Sequence, residues 1–186
     1  MRIAGGEWRG RVLKVPSGDA VRPTQDRVRE ALFSMIQPAV PGAVFLDLFA
    51  GSGGVGLEAL SRGAARAVFV ERAPRHVACL TANVAALNAQ ARADVIRADA
   101  EAWAASAGSG RNVDLAFADP PYDHVATHGY AALLTALAER NVVRPEGLFI
   151  AEMRAAQRPD EHPAWELCRD RTYGETRLAV YRRRTP

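Results

Sequence analysis

Four acids and a doubled proline hold most of the chemistry that this 186-residue sequence can perform. Asp47 lies inside the apolar run "AVFLDLF" (43–49), and Glu71 ends "RAVFVE" (66–71). Asp99 ends "ADVIRAD", and Asp119 ends "VDLAFAD" where it opens into "DPPY". Short apolar runs bounded by turn residues read as buried strands, so each acid sits in or at the end of a core strand. Between the first two acids runs "LDLFAGSGGVG", with Gly51-x-Gly53-x-x-Gly56 placed between a strand and a helix. Glycine there lets the backbone turn tightly and approach a ligand, and the helix N-terminus behind it favours polar or anionic groups.

That loop predicts a nucleotide-like cofactor. Glu71, 20 residues after Gly51, is placed to receive ribose hydroxyls, which both NAD and S-adenosylmethionine offer. Asp47 separates the two, because its charge would repel a pyrophosphate and suit a cationic ammonium. Asp99 is placed to accept from an adenine amine. A strand-terminal acid is more often a helix cap than a ligand contact, but three with one glycine loop favour S-adenosylmethionine.

Asp119, Pro120, Pro121 and Tyr122 follow the fourth strand, on the side of an open α/β sheet where ligands bind. The prolines stiffen the loop and cannot donate backbone hydrogen bonds. The Asp119 carboxylate and the Pro120 carbonyl then form a pair of acceptors, and Tyr122 offers a flat face for stacking. This set suits a planar ring with an exocyclic NH₂. Two acceptors holding its hydrogens favour the geometry in which the nitrogen lone pair can point at a sulfonium methyl, and orientation supplies much of the rate. His124 and His128 follow the motif, but loop histidines are usually solvated and no metal or covalent nucleophile is required.

The elements that must position these residues alternate. Strands at 43–49, 66–71, "ADVIRAD", "VDLAFAD" and "GLFIAEM" are separated by helices opening at "GGVGLEALSRG", over 75–87 and over "YAALLTALAER". This order predicts an α/β fold with a mostly parallel sheet covered by helices. "AWELCRDRTYG" and "ETRLAVYRRR" predict a closing hairpin near Gly174 that adds an antiparallel strand. Residues 1–42 read as a small β-ribbon and helix extension before the 43–186 sheet domain. In that helix Thr24 is the expected N-cap, with Val28, Leu32, Met35 and Ile36 on one face.

Composition bounds the partners. The net charge of +3 is too small to imply nucleic-acid binding, but residues 1–30 carry seven bases against four acids. No apolar segment approaches a membrane span, and the basic N-terminus lacks the apolar centre of a secretory signal. Cys79 and Cys168 lack histidines at metal-ligand spacing, so reduced thiols, no bound metal and a cytoplasmic location are expected.

"DPPY" with "DLFAGSGGVG" upstream resembles the class I S-adenosylmethionine-dependent amino-methyltransferases. "GGEWRGRVL", "RPTQDRVREALFSM", "DLFAGSGGVGLEALSRGA", "FADPPY" and "YGETRLAVYRR" are similar, in order, to segments of the bacterial RsmD family, which methylates the 2-amino group of one guanine in 16S ribosomal RNA. The resemblance spans the chain and implies a Rossmann-like class I methyltransferase sheet. It implies that Asp47, Phe49, Gly51, Ser52, Gly53 and Arg72 line the cofactor site, with Glu71 at the ribose and Asp99 and Ala100 at the adenine. Asp119 to Tyr122 would hold the base. Arg2, Arg9, Arg11, Arg22, Thr24 and Arg27 would meet RNA, Arg22 and Thr24 alternatively the methionine carboxylate. A monomer acting on the small ribosomal subunit or its RNA is expected. The alternatives are an adenine-N6 or cytosine-N4 methyltransferase, an NAD-dependent oxidoreductase, and a non-catalytic RNA-binding module.

Overall fold

The computed structural model describes residues 1–16, 23–121 and 128–185, with backbone alone at 23–25. The chain divides into two compact units, Met1–Ala98 and Asp99–Pro186.

In the first unit, β1 (Val44–Leu48), β2 (Arg66–Glu71) and β3 (Ala93–Arg97) pair in parallel in the order β3-β2-β1. β1 and β2 are buried almost throughout, as strands covered on both faces must be. The crossovers are α2 (Gly54–Ser61) and α3 (Pro74–Ala86). α1 (Pro23–Ile36) buries Val28, Leu32, Phe33 and Ile36. It starts at Pro23, so Thr24 falls within its first turn instead of capping it; proline fits the first helical position because no N–H is needed there. The expected N-terminal ribbon is a short hairpin. Arg2 bridges Val12, and Ile3 N–H donates to the Arg11 carbonyl at 3.0 Å.

The second unit contains β4 (Val113–Ala118), β5 (Val143–Arg154), β6 (Trp165–Tyr173) and β7 (Thr176–Arg183) in the order β4-β5-β7-β6. β4 and β5 are parallel, and β7 runs antiparallel to both of its neighbours, as the tail pattern predicts. The β6–β7 turn passes through Gly174 at φ +59°. β5 starts earlier than "GLFIAEM" indicates. Val143 already pairs with Val113, and the register then shifts before it resumes at Leu115–Leu148, so the residues between form a bulge within the strand. Among the described residues the unit also contains α4 (Ala100–Ala105), which the periodicity does not reveal, and α5 (Ala131–Glu139). Six residues are too few to show a helical stripe. Among the described residues, no helix is long and apolar enough to cross a membrane, and no cluster of three or more His, Cys, Asp or Glu could hold a metal ion.

Candidate active site

In the first unit, the glycine loop leaves β1 through a strained residue. Phe49 has φ +60°, unusual for a bulky side chain, and such strain persists only where the surroundings over-determine it. Gly51 follows at φ +55°, and a Cβ there would meet nothing within 4 Å, so the loop faces open space at this point. The other glycines serve packing. A Cβ on Gly53 would come within 2.2 Å of Leu80, and one on Gly56 within 2.3 Å of the Phe69 ring. Only Gly51 therefore leaves room for a ligand beside the backbone.

Two of the predicted acids build this loop. Asp47 is 1% exposed, and its Oδ2 accepts from the Gly56 N–H at 2.8 Å. A carboxylate on β1 thus satisfies a first-turn N–H of α2, at the positive end of that helix. Glu71 accepts from the Gly51 N–H at 2.8 Å through one oxygen and from the Ala73 N–H at 2.7 Å through the other. His76 Nδ1 stands 3.7 Å from the same carboxylate. Each carboxylate oxygen has two lone pairs, so Glu71 keeps acceptor capacity for hydroxyls while holding the loop. Arg72, beside it, is exposed.

Sequence reasoning misses two residues that tie the N-terminal hairpin to this loop. Asn83 on α3, 2% exposed, donates to the Ser52 carbonyl at 3.0 Å and the Lys14 carbonyl at 2.9 Å, and accepts from the Lys14 N–H at 2.8 Å. Glu58 on α2 is fully buried and accepts from the N–H groups of Ala4 and Gly5, both at 2.8 Å, and from Arg62 Nε at 2.8 Å. Arg29 Nε lies 3.5 Å from Glu58, and its Nη2 donates to the Arg2 carbonyl at 2.5 Å. A single acid within the apolar helix "GVGLEALS" was the available signal for Glu58, since such residues are seldom fully buried unless paired.

The hairpin presents Arg2, Arg9 and Arg11 as exposed residues, and Arg27 on α1 is exposed as well. Arg2 Nη1 donates to the Gly10 carbonyl at 3.0 Å, and Arg11 Nη2 to the Ala86 carbonyl at 2.9 Å. Arg92 stacks 5.0 Å from the Trp8 ring centre and pairs with Glu7. Arg22, Tyr122 and His124 lie outside the described residues, as does the Thr24 side chain.

In the second unit, Asp99 caps α4, its Oδ1 accepting from the Ala102 N–H at 3.1 Å, and Ala100 is buried in the first turn. Asp99 is thus a helix cap, as strand-terminal acids most often are, and its carboxylate is exposed. Asp119 ends β4 half-buried, followed by a buried Pro120 and an exposed Pro121. Burial pushes the Asp119 carboxyl up to about 7. His128 is exposed. The Tyr130 hydroxyl, which the sequence reading also misses, lies 3.2 Å from the Ala118 carbonyl and 2.6 Å from that of Glu152. It ties the end of β4 to β5.

The family model described as "Conserved hypothetical protein 95" matches residues 1–182. The chain is 37% identical over 184 residues to the ribosomal RNA small subunit methyltransferase D of Escherichia coli (strain K12), covering 98% of this chain and 90% of that protein. The solved structure of yhhF from Escherichia coli superposes with a TM-score of 0.87 at 36% identity, covering 100% of this chain and 99% of that one. An RNA methyltransferase from Salinibacter ruber, solved with S-adenosyl-L-homocysteine, shares the fold at 14% identity and a TM-score of 0.66, covering 90% of this chain and 95% of that one.

Proposed function

Because this chain belongs to the conserved hypothetical protein 95 family, the RsmD family, we propose that it methylates the exocyclic 2-amino group of a guanine in 16S ribosomal RNA, using S-adenosylmethionine. The observation that carries the reading is Asp119, a carboxyl group held at the end of a buried strand and stiffened by the Pro120–Pro121 pair. When bound, S-adenosylmethionine supplies a methyl on a cationic sulfur, so that the nitrogen lone pair forms the N–C bond as the C–S pair returns to sulfur. Asp119 accepts the amine N–H and, with the Pro120 carbonyl, orients the nitrogen. It then takes the proton that the methylated nitrogen releases.

The donor set of the first unit fits this cofactor. Glu71 holds the ribose hydroxyls through its remaining lone pairs, and the space beside Gly51 admits the ligand against the backbone. Asp47 argues against a dinucleotide, because a buried carboxylate already serves the α2 N-terminus where a pyrophosphate would sit. Asp99 and Ala100 meet the adenine. The enzyme works in the cytoplasm as a monomer, with Cys79 and Cys168 reduced. Its substrate is the small subunit or its RNA.

Mass spectrometry of 16S RNA from cells with and without the protein tests the reading. One N2-methylated guanine should vanish on deletion and return on complementation; an unchanged map would refute it. Arg2, Arg9, Arg11 and Arg27, with Arg22 and Thr24, supply the RNA contacts. Replacing Arg9, Arg11 and Arg27 together by alanine should weaken RNA binding and flatten its salt dependence by about one unit of slope per lost contact, read by a salt titration of the dissociation constant.

A further inference from the structure

A second carboxyl group stands beside Asp119. β4 and β5 pair in parallel with Phe117 opposite Ile150 and Ala118 opposite Ala151. One residue beyond the last pair on each strand stand Asp119 and Glu152, with the Ala118 and Glu152 carbonyls meeting at one hydroxyl and the two carboxyl groups close enough for the charge of Asp119 to act on Glu152. Tyr130 braces this corner. Its hydroxyl reaches the carbonyls of Ala118 and Glu152, and its backbone N–H donates to Asp160 at 2.5 Å. Tyr130 is 2% exposed, so the brace is sheltered from water. Two carboxyl groups held side by side in such surroundings cannot both ionise near neutral pH. Burial first, and then the charge of Asp119, push Glu152 up to about 9, above the value of about 7 for Asp119. Among the described residues, the other titratable groups around the corner are Tyr130 itself, Asp160 after β5 and Tyr181 on β7, and burial raises both tyrosines.

We propose that Glu152 is a positioning residue for methyl transfer: as a neutral carboxyl group beside Asp119, it confines the single negative charge of the pair to Asp119, the atom group that meets the amine. The inference rests on the reading of Asp119 as the amine acceptor. In the proton step, an N–H bond of the methylated, cationic nitrogen breaks with its electron pair returning to nitrogen. An O–H bond forms on Asp119, and water takes that proton when the product leaves. Glu152 keeps its own proton throughout, so that Asp119 remains the one base of the pair.

The test compares Glu152→Gln with Asp119→Asn in single-turnover methyl transfer from labelled S-adenosylmethionine to the small-subunit RNA. Thermal melting and S-adenosylhomocysteine binding establish that each variant is folded. Gln reproduces a neutral carboxyl group, so Glu152→Gln should lower the rate by only about threefold, the scale of one altered hydrogen bond. Glu152→Met, neutral and similar in volume but without a group to hydrogen-bond beside Asp119, provides a second folded variant and should lower the rate further, by about tenfold; a Met variant as active as the Gln variant would overturn the inference. Infrared difference spectra at about pH 8, between the two titrations, should show a protonated carboxyl C=O band that Glu152→Gln lacks. A folded Glu152→Gln as inactive as Asp119→Asn would overturn the inference, because Glu152 would then act as a charged base. Absence of the band from the unsubstituted enzyme would overturn it too. An Asp119→Asn enzyme of undiminished rate would instead refute the parent reading, and this inference with it.

Discussion

Asp119→Ala should reduce methyl transfer by about a thousandfold or more while leaving S-adenosylhomocysteine binding within about threefold. On the proposed mechanism, the substitution removes both the acceptor that orients the amine and the base that takes its proton. It removes nothing from the residues assigned to the cofactor in the first unit, so binding and chemistry should separate cleanly. Asp119→Asn keeps the shape and one acceptor oxygen and should retain slightly more activity. The rate of the unsubstituted enzyme should rise with pH through about 7, where the Asp119 carboxyl ionises, and this limb should be missing from the Asn variant.

The same residue makes an opposite prediction for stability. Burial raises the Asp119 carboxyl from 3.8 to about 7, so between those values the folded chain holds a proton that the unfolded chain has released. Stability from this group is therefore present at low pH and is lost as pH rises through about 7. Asp119→Asn removes that loss and should stabilise the protein by about 1–3 kcal/mol at pH above the titration, measured by urea unfolding. A variant that is more stable yet inactive identifies a site kept at the expense of folding. A variant that loses stability and activity together would make Asp119 a packing residue.

Glu58→Ala should cost about 3–5 kcal/mol in the first unit, as expected when one partner of a buried ionic network is removed. Glu58 is fully buried, and its loss leaves the N–H groups of Ala4 and Gly5 and the Arg62 guanidinium without this acceptor, while Arg29 keeps Asp26 and the Arg2 carbonyl. Ser61 alone would still hold the hairpin on α2, through its hydroxyl to Gly5 at 2.6 Å and Trp8 at 2.9 Å. Urea unfolding reads the loss. Trypsin digestion reads its location, because a loosened hairpin should be cut faster at Arg9 and Arg11. Unfolding within about 1 kcal/mol of the unsubstituted protein would show that the network is not what docks the hairpin.

The glycine loop and the strands around it were legible because their signals are local. A buried parallel strand is an apolar run, and β2 falls at Arg66–Glu71 as "RAVFVE" indicates. Glycine is the residue favoured where the backbone takes a positive φ, so Gly51 at φ +55° and Gly53 at φ +85° declare themselves by type, whereas Phe49 at φ +60° does not. Asp99 shows where that kind of inference stops. Its position at a strand end was visible, but that its carboxylate caps α4 depends on a helix too short to leave a periodic trace.

Sequence alone determined the alternation of strands and helices, the residues of the turn that faces open space, and the acid followed by two prolines, because each is a property of neighbours along the chain. Tertiary structure alone decided that Asp47 serves the α2 N-terminus, that Glu58 and Asn83 fasten the hairpin, and that Glu152 comes within reach of the charge of Asp119. Those pairs are separated by many residues and meet only through strand register and helix docking. Burial, which sets the charge each acid carries, exists only once the chain has closed around it.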